Sequence, residues 1–231
     1  MENSSSYTFW RYALTDWSTS VLIFSNIITI IFAIIENWDI YTIMLIYWFQ
    51  SVIIGFFTVI KIINLKNISS VGFAPGLVNH SDIKATKRLA IIIFVLYYGM
   101  FHAAYLFFLG FDYLFFQGSN LIILNFFIIL SILIFFLNHL FSFYYNKEKD
   151  ANKKQHIGKV VMFPFIRIIP MHLTIIFGLG FIWFGMPQIT LVIFLILKTV
   201  ADVMMHLIEH KPKLLGNMLN ATFDTILKSS R

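Results

Sequence analysis

Lys198, Asp202, His206 and His210 recur at every fourth position in the segment LKTVADVMMHLIEH. On an α-helix that spacing lays them in one stripe along a single face. The residues around them are almost all apolar, as in a membrane span. At mid-bilayer, Lys and Asp each cost about 2.5–3.5 kcal/mol on an insertion scale, while each Leu, Ile, Phe or Val returns only about 0.3–0.6 kcal/mol. Lys198 and Asp202 are therefore expected to face the interior of a helix bundle, paired with each other or with neighbouring helices. The plainer alternative is a structural i,i+4 ion pair, with His206 and His210 merely approaching an interface.

Three more histidines stand in apolar runs: His102 in YYGMFHAAYLFF, His139 in FLNHLFSFYYN and His172 in FIRIIPMHLTIIFG. At a rise of about 1.5 Å per residue, His139 and His206 lie about one turn inside one membrane face, and Asp202 and His172 about two to three turns inside. His102 falls past the midplane. Neutral imidazoles with one carboxylate suit zinc better than magnesium or calcium, and H-x-x-x-H offers two ligands from one helix face. The expected metal set is His139, His172, Asp202 and His206, with His210 in reserve and His102 outside it. Asp202 would act as ligand or general base, and Lys198 would steady negative charge.

Each histidine also has a bland reading, a hydrogen-bonded crosslink between helices. Asn138 and Ser142 could serve His139 in this way. Asn26, Gln50 and Asn125 read as interhelical glue. Arg167, between Pro164 and Pro170, reads as an interfacial residue reaching for phosphate. Pro170 should loosen the helix just before His172. His80 and His156 fall in loops and are assigned no role.

The elements that must position these residues follow from composition. Of 231 residues, 59% are apolar, 12% charged, and 27 are Phe. A soluble domain carries roughly a quarter charged residues. The apolar residues form continuous blocks of about 20, the length that crosses a hydrocarbon core, and they do not alternate as barrel strands would. The expectation is an all-α polytopic bundle of six transmembrane helices, near 18–35, 40–63, 88–111, 120–143, 162–185 and 188–209, forming one membrane domain over 1–231. Residues 211–227 suit an amphipathic surface helix. The N-terminal residues lack a basic n-region and a cleavage site, so no signal peptide is expected, and Trp10, Tyr12 and Trp17 suit an interfacial segment. Cysteine is absent, which excludes disulfides and thiolate metal sites.

Of the 17 basic residues, Arg167 and Lys198 fall within spans and the other 15 fall on one side. The positive-inside rule makes that side cytoplasmic, with both termini inside, in the cell membrane. The net charge of +6 is thus a matter of topology and anionic lipid, and no nucleic-acid partner is expected.

Several segments carry a resemblance: WFQSVIIGFFTVIKI (48–62), FHAAYLFF (101–108), NHLFSF (138–143), PFIRIIPMHLTIIFG (164–178) and LKTVADVMMHLIEH (197–210). Over spans two to six the chain resembles a prokaryotic family of multi-pass membrane proteins known only as a domain of unknown function. The motif positions fall on His102, His139, Arg167, His172, Lys198, Asp202, His206 and His210. Asn138 replaces the serine of the Ser-His pattern, so no serine chemistry is expected there. The resemblance implies an architecture and a set of polar residues; it implies no reaction.

Four functions fit these residues. The leading one is a metal-dependent hydrolase of a membrane-resident substrate, in which zinc would lower the pKa of its water toward about 7. The likeness to heptahelical zinc hydrolases such as alkaline ceramidases is an analogy of fold, with one helix fewer here. The second is a proton or metal-ion conduit through His102, His172 and Asp202, although no inverted repeat is visible. The third is a b-type haem protein with two histidines on the iron, and the fourth a non-catalytic scaffold subunit. A homo-oligomer fits any of them.

Overall fold

The computed structural model describes residues 17–71, 73–74, 82–116, 126–152, 154–173 and 187–210, without the side chains of 111–116, 149, 151, 187–189 and 207–210. Six helices lie within this part: α1 (Trp17–Ile35), α2 (Ile40–Asn64), α3 (Ile83–Phe116), α4 (Phe126–Asn152), α5 (Ile157–Arg167) and α6 (Pro187–His210). Four of them, α1 to α4, are long and apolar enough to cross a membrane. Phe24, Ile34, Phe56, Leu96, Phe107 and Val200 stand exposed on the bundle surface, an apolar belt that water would not tolerate but lipid does.

Local chemistry starts and stops the helices. After α1, Asn37 takes a left-handed conformation, φ 49°, and the chain reverses within a few residues. Asp39 then caps α2 by accepting the Thr42 amide at 2.7 Å, and Asp82 caps α3 through the Ala85 amide at 3.0 Å. Helix α2 is central, packing against α3, α4, α5 and α6, while α1 lies against α4 and α6.

The helices overrun the apolar blocks. α3 begins five residues before the expected span and reaches Phe116, α4 continues to Asn152, and α5 begins at Ile157 in place of 162. Hydropathy marks where lipid ends, whereas helical hydrogen bonding continues into water until a breaker intervenes. The α5 helix contains Pro164 and is interrupted at Ile168, after which 169–173 are again helical. This is the loosening expected ahead of His172.

An unforeseen clasp closes the basic end. Residues Ile68–Ser69 (β1) and Gln155–His156 (β2) pair in parallel, with Ile68 opposite Gln155. Beside it, Lys61 and Asp150 join α2 to α4 at 2.7 Å, and Lys87 donates to the Ile63 carbonyl at 3.0 Å. The proposed surface helix at 211–227, the aromatic N-terminal segment, His80 and the side chain of His210 lie outside the described residues.

Candidate functional site

The α6 stripe turns inward. Lys198, Asp202 and His206 are all buried, Asp202 to 1% exposure. Lys198 Nζ is ion-paired with Asp202 Oδ2 and also donates to Gln50 Oε1 of α2. It reaches Asn26 Oδ1 of α1 at 3.4 Å. Asp202 Oδ2 in turn accepts from the amides of Asn26 and Gln50, each at 3.4 Å. The ammonium lies 4.2 Å from the Tyr47 ring centroid and 5.1 Å from that of Phe135, both electron-rich faces for a desolvated cation. One ion pair thus ties together three helices, and Asn26 and Gln50 do more than join neighbours: they are the pair's immediate partners.

The second carboxylate oxygen, Asp202 Oδ1, is buried without a hydrogen bond. Asp202 borders a cavity of about 20 Å³ with Gln50, Ser51, Arg167 and Lys198. A water needs about 10–15 Å³ measured in this way, so the cavity has room for one. Arg167 also lines a larger chamber of about 90 Å³, together with His139, His206, Lys61, Lys147 and Asp150. Arg167 and Ile54 are common to both spaces. His139 stacks against Phe57, with ring centroids 6.4 Å apart, and its Nε2 is buried with no hydrogen-bond partner. Arg167, Asp202, Lys198 and His206 all lie within electrostatic range of its ring.

The expected metal set does not assemble. His172 is turned to α3, where its Nδ1 is hydrogen-bonded to the Tyr105 hydroxyl and its ring meets Phe101 at 5.7 Å. Among the described residues, no three His, Asp or Glu side chains gather as ligands of one metal would. The reason is the break after α5. Depth places His172 level with Asp202, but the helix is interrupted at Ile168, between Arg167 and His172. Arg167 lines the chamber and His172 does not. Because α5 starts at Ile157, Arg167 sits ten residues into the helix, about 15 Å along its axis. His102 lines neither space: its Nδ1 pairs with the Tyr98 carbonyl at 2.7 Å, and Trp48 donates to its carbonyl at 2.9 Å.

Residues 9–215 match the DUF6498 family, a family of unknown function. The chain belongs to this family, as the resemblance of its segments implied. No curated protein and no solved structure matches it.

Proposed function

We propose that this chain is an integral membrane hydrolase acting on a membrane-resident substrate, in six crossings with the basic end in the cytoplasm. The observation that supports it is the pair of adjoining cavities that share Arg167, one sized for a water beside an unpartnered carboxylate oxygen, the other larger and lined by His139 and His206. In this reading the substrate's polar group enters the larger chamber. Asp202 Oδ1 accepts a hydrogen bond from the water and orients it, while Lys198, Gln50 and Asn26 fix the carboxylate through Oδ2. Arg167 faces the oxygen on which negative charge develops; as the water's oxygen bonds to the substrate, His139 Nε2 takes the proton the water loses and passes it to the leaving group when that group's bond breaks. No step is routed through a metal, because His172 is committed to Tyr105.

The test is isotopic. Purified protein is incubated in H₂¹⁸O with extracted membrane lipids, and products are read by mass spectrometry. The wild type should place one ¹⁸O in a released product, with the rate falling about 10²–10⁴-fold in His139→Gln or Asp202→Asn. Labelling no greater than that of Asp202→Asn would overturn the reading.

A second reading, the proton conduit, draws on a polar file running away from the site. The Ser51 and Tyr98 hydroxyls are hydrogen-bonded at 2.7 Å, His102 lies beside the Tyr98 ring with its Nδ1 on the Tyr98 backbone carbonyl, and Tyr105 with His172 follows. Proteoliposomes carrying a pH-sensitive dye decide it: flux under an imposed gradient, lost in Tyr98→Phe, would support conduction.

A further inference from the structure

Tyr47, Gln50, Ser51 and Ile54 stand at i, i+3, i+4 and i+7 of α2, which is one face of a helix, and all four line the small cavity beside Asp202. Their polar groups fare differently. Ser51 Oγ is bonded to the Tyr98 hydroxyl at 2.7 Å, and Gln50 holds both Lys198 and Asp202 Oδ2. Tyr47 is 2% exposed, and its hydroxyl is buried with no hydrogen bond. The same is true of Asp202 Oδ1. The tyrosine lies within electrostatic range of the Asp202 carboxylate. It is not free to swing elsewhere, because its ring packs against Phe135 and Phe194, with centroids 5.8 and 5.3 Å away, and meets the Lys198 ammonium at 4.2 Å. Buried tyrosine hydroxyls usually find a partner. Two orphaned oxygens on residues lining one cavity, with room there for one water, have a common solution.

We infer that Tyr47 is the second anchor of that water: its hydroxyl donates to the water's oxygen, and the water donates one hydrogen to Asp202 Oδ1. The directions follow from the groups. An ionised carboxylate can only accept, whereas a tyrosine hydroxyl can donate. With both bonds made, one hydrogen and one lone pair of the water remain. The part this plays in turnover rests on the hydrolase reading. There the remaining lone pair forms the bond to the substrate, and the remaining hydrogen is the proton that His139 takes. Tyr47 keeps its own proton throughout and acts by aiming the water.

The experiment replaces Tyr47 by Phe, which removes the hydroxyl and keeps the ring beside Lys198. Thermal unfolding of the full chain in maltoside then separates two cases of opposite sign. A hydroxyl buried without a partner is a cost that Phe relieves, so the unfolding temperature would hold or rise. A hydroxyl that anchors a water leaves the water and the carboxylate underbonded when it is removed, so the temperature should fall by about 2–4 °C. A crystal structure of the wild type grown in lipid should show one water within hydrogen-bond distance of both Tyr47 Oη and Asp202 Oδ1. His139→Gln should keep that water, and its unfolding should stay sensitive to Tyr47→Phe, although its turnover is lost. Where the wild type incorporates ¹⁸O, Tyr47→Phe should lower kcat about tenfold at an unchanged KM, and Tyr105→Phe, outside the cavity, should leave both unchanged. The inference is overturned by an unfolding temperature that holds or rises in Tyr47→Phe, by a wild-type structure with no water bridging the two oxygens, or by an unchanged kcat. A bridging water and a lowered unfolding temperature in an inactive wild type would support the anchor and sink only the hydrolase reading.

Discussion

Replacing Lys198 by Met, Asp202 by Asn, and then both together isolates what the ion pair itself contributes. Removing one partner of a buried pair costs about 3–5 kcal/mol, since the survivor is left charged in a low-dielectric interior. Here the survivor keeps some help. In Lys198→Met, the carboxylate retains the Asn26 and Gln50 amides, at a long 3.4 Å each. In Asp202→Asn, the ammonium retains the Gln50 and Asn26 oxygens and the face of Tyr47 at 4.2 Å. Each single change should therefore cost about 3 kcal/mol, the low end of that range. The double variant buries no charge, and its cost should be about that of one single change. The coupling is then about 3 kcal/mol, the upper end for residues in contact. Reversible unfolding in maltoside micelles titrated with a denaturing detergent measures it. Additive losses, with the double variant near 6 kcal/mol, would refute the claim that the two charges chiefly support one another.

Three further outcomes follow from the packing. A Cβ on Gly55 would lie 2.8 Å from Tyr98 Cε1, and that ring is held between Phe94 and His102 at 4.7 and 4.2 Å. Gly55→Ala should thus cost about 1–3 kcal/mol, whereas Gly99→Ala, with nothing within 4 Å, should be neutral or gain up to about 1 kcal/mol, as chemical unfolding would show. Tyr105→Phe should cost about 1 kcal/mol and leave turnover intact; lost turnover would return His172 to the site. In this cysteine-free chain, Glu36→Cys should react with an impermeant maleimide in intact cells and Lys66→Cys only after permeabilisation, and the reverse pattern would invert the orientation.

What the sequence made legible was whatever depends on one helix at a time. The i,i+4 stripe of Lys198, Asp202 and His206 required only 3.6 residues per turn, and all three side chains are buried as that period implies. The break before His172 followed from Pro170 in the same way. Positions that depend on how helices rotate against one another were not legible. Depth grouped His172 with Asp202, but depth is one coordinate of three, and the helix breaks at Ile168, with His172 on Tyr105 and Arg167 on the chamber. The start of α5 was misplaced for a related reason: apolar content set the span edge at 162, whereas the helix begins at Ile157. Asn26 and Gln50 looked like any polar residue in a span until three helices brought them to one ion pair.

The two cavities taken together place the ion pair beside the site of the proposed chemistry. Each lining carboxylate is held by one lysine, Asp150 by Lys61 and Asp202 by Lys198. Asp202 uses Oδ2 for Lys198, Asn26 and Gln50, and leaves Oδ1 to the small cavity that Arg167 also borders. In the proposed hydrolase the ion pair therefore fixes the carboxylate, and the carboxylate orients the water. Lys198→Met should then lower turnover as well as stability, because a carboxylate freed to rotate no longer holds Oδ1 toward the cavity. Full turnover in a folded Lys198→Met protein would mean that the pair only joins helices.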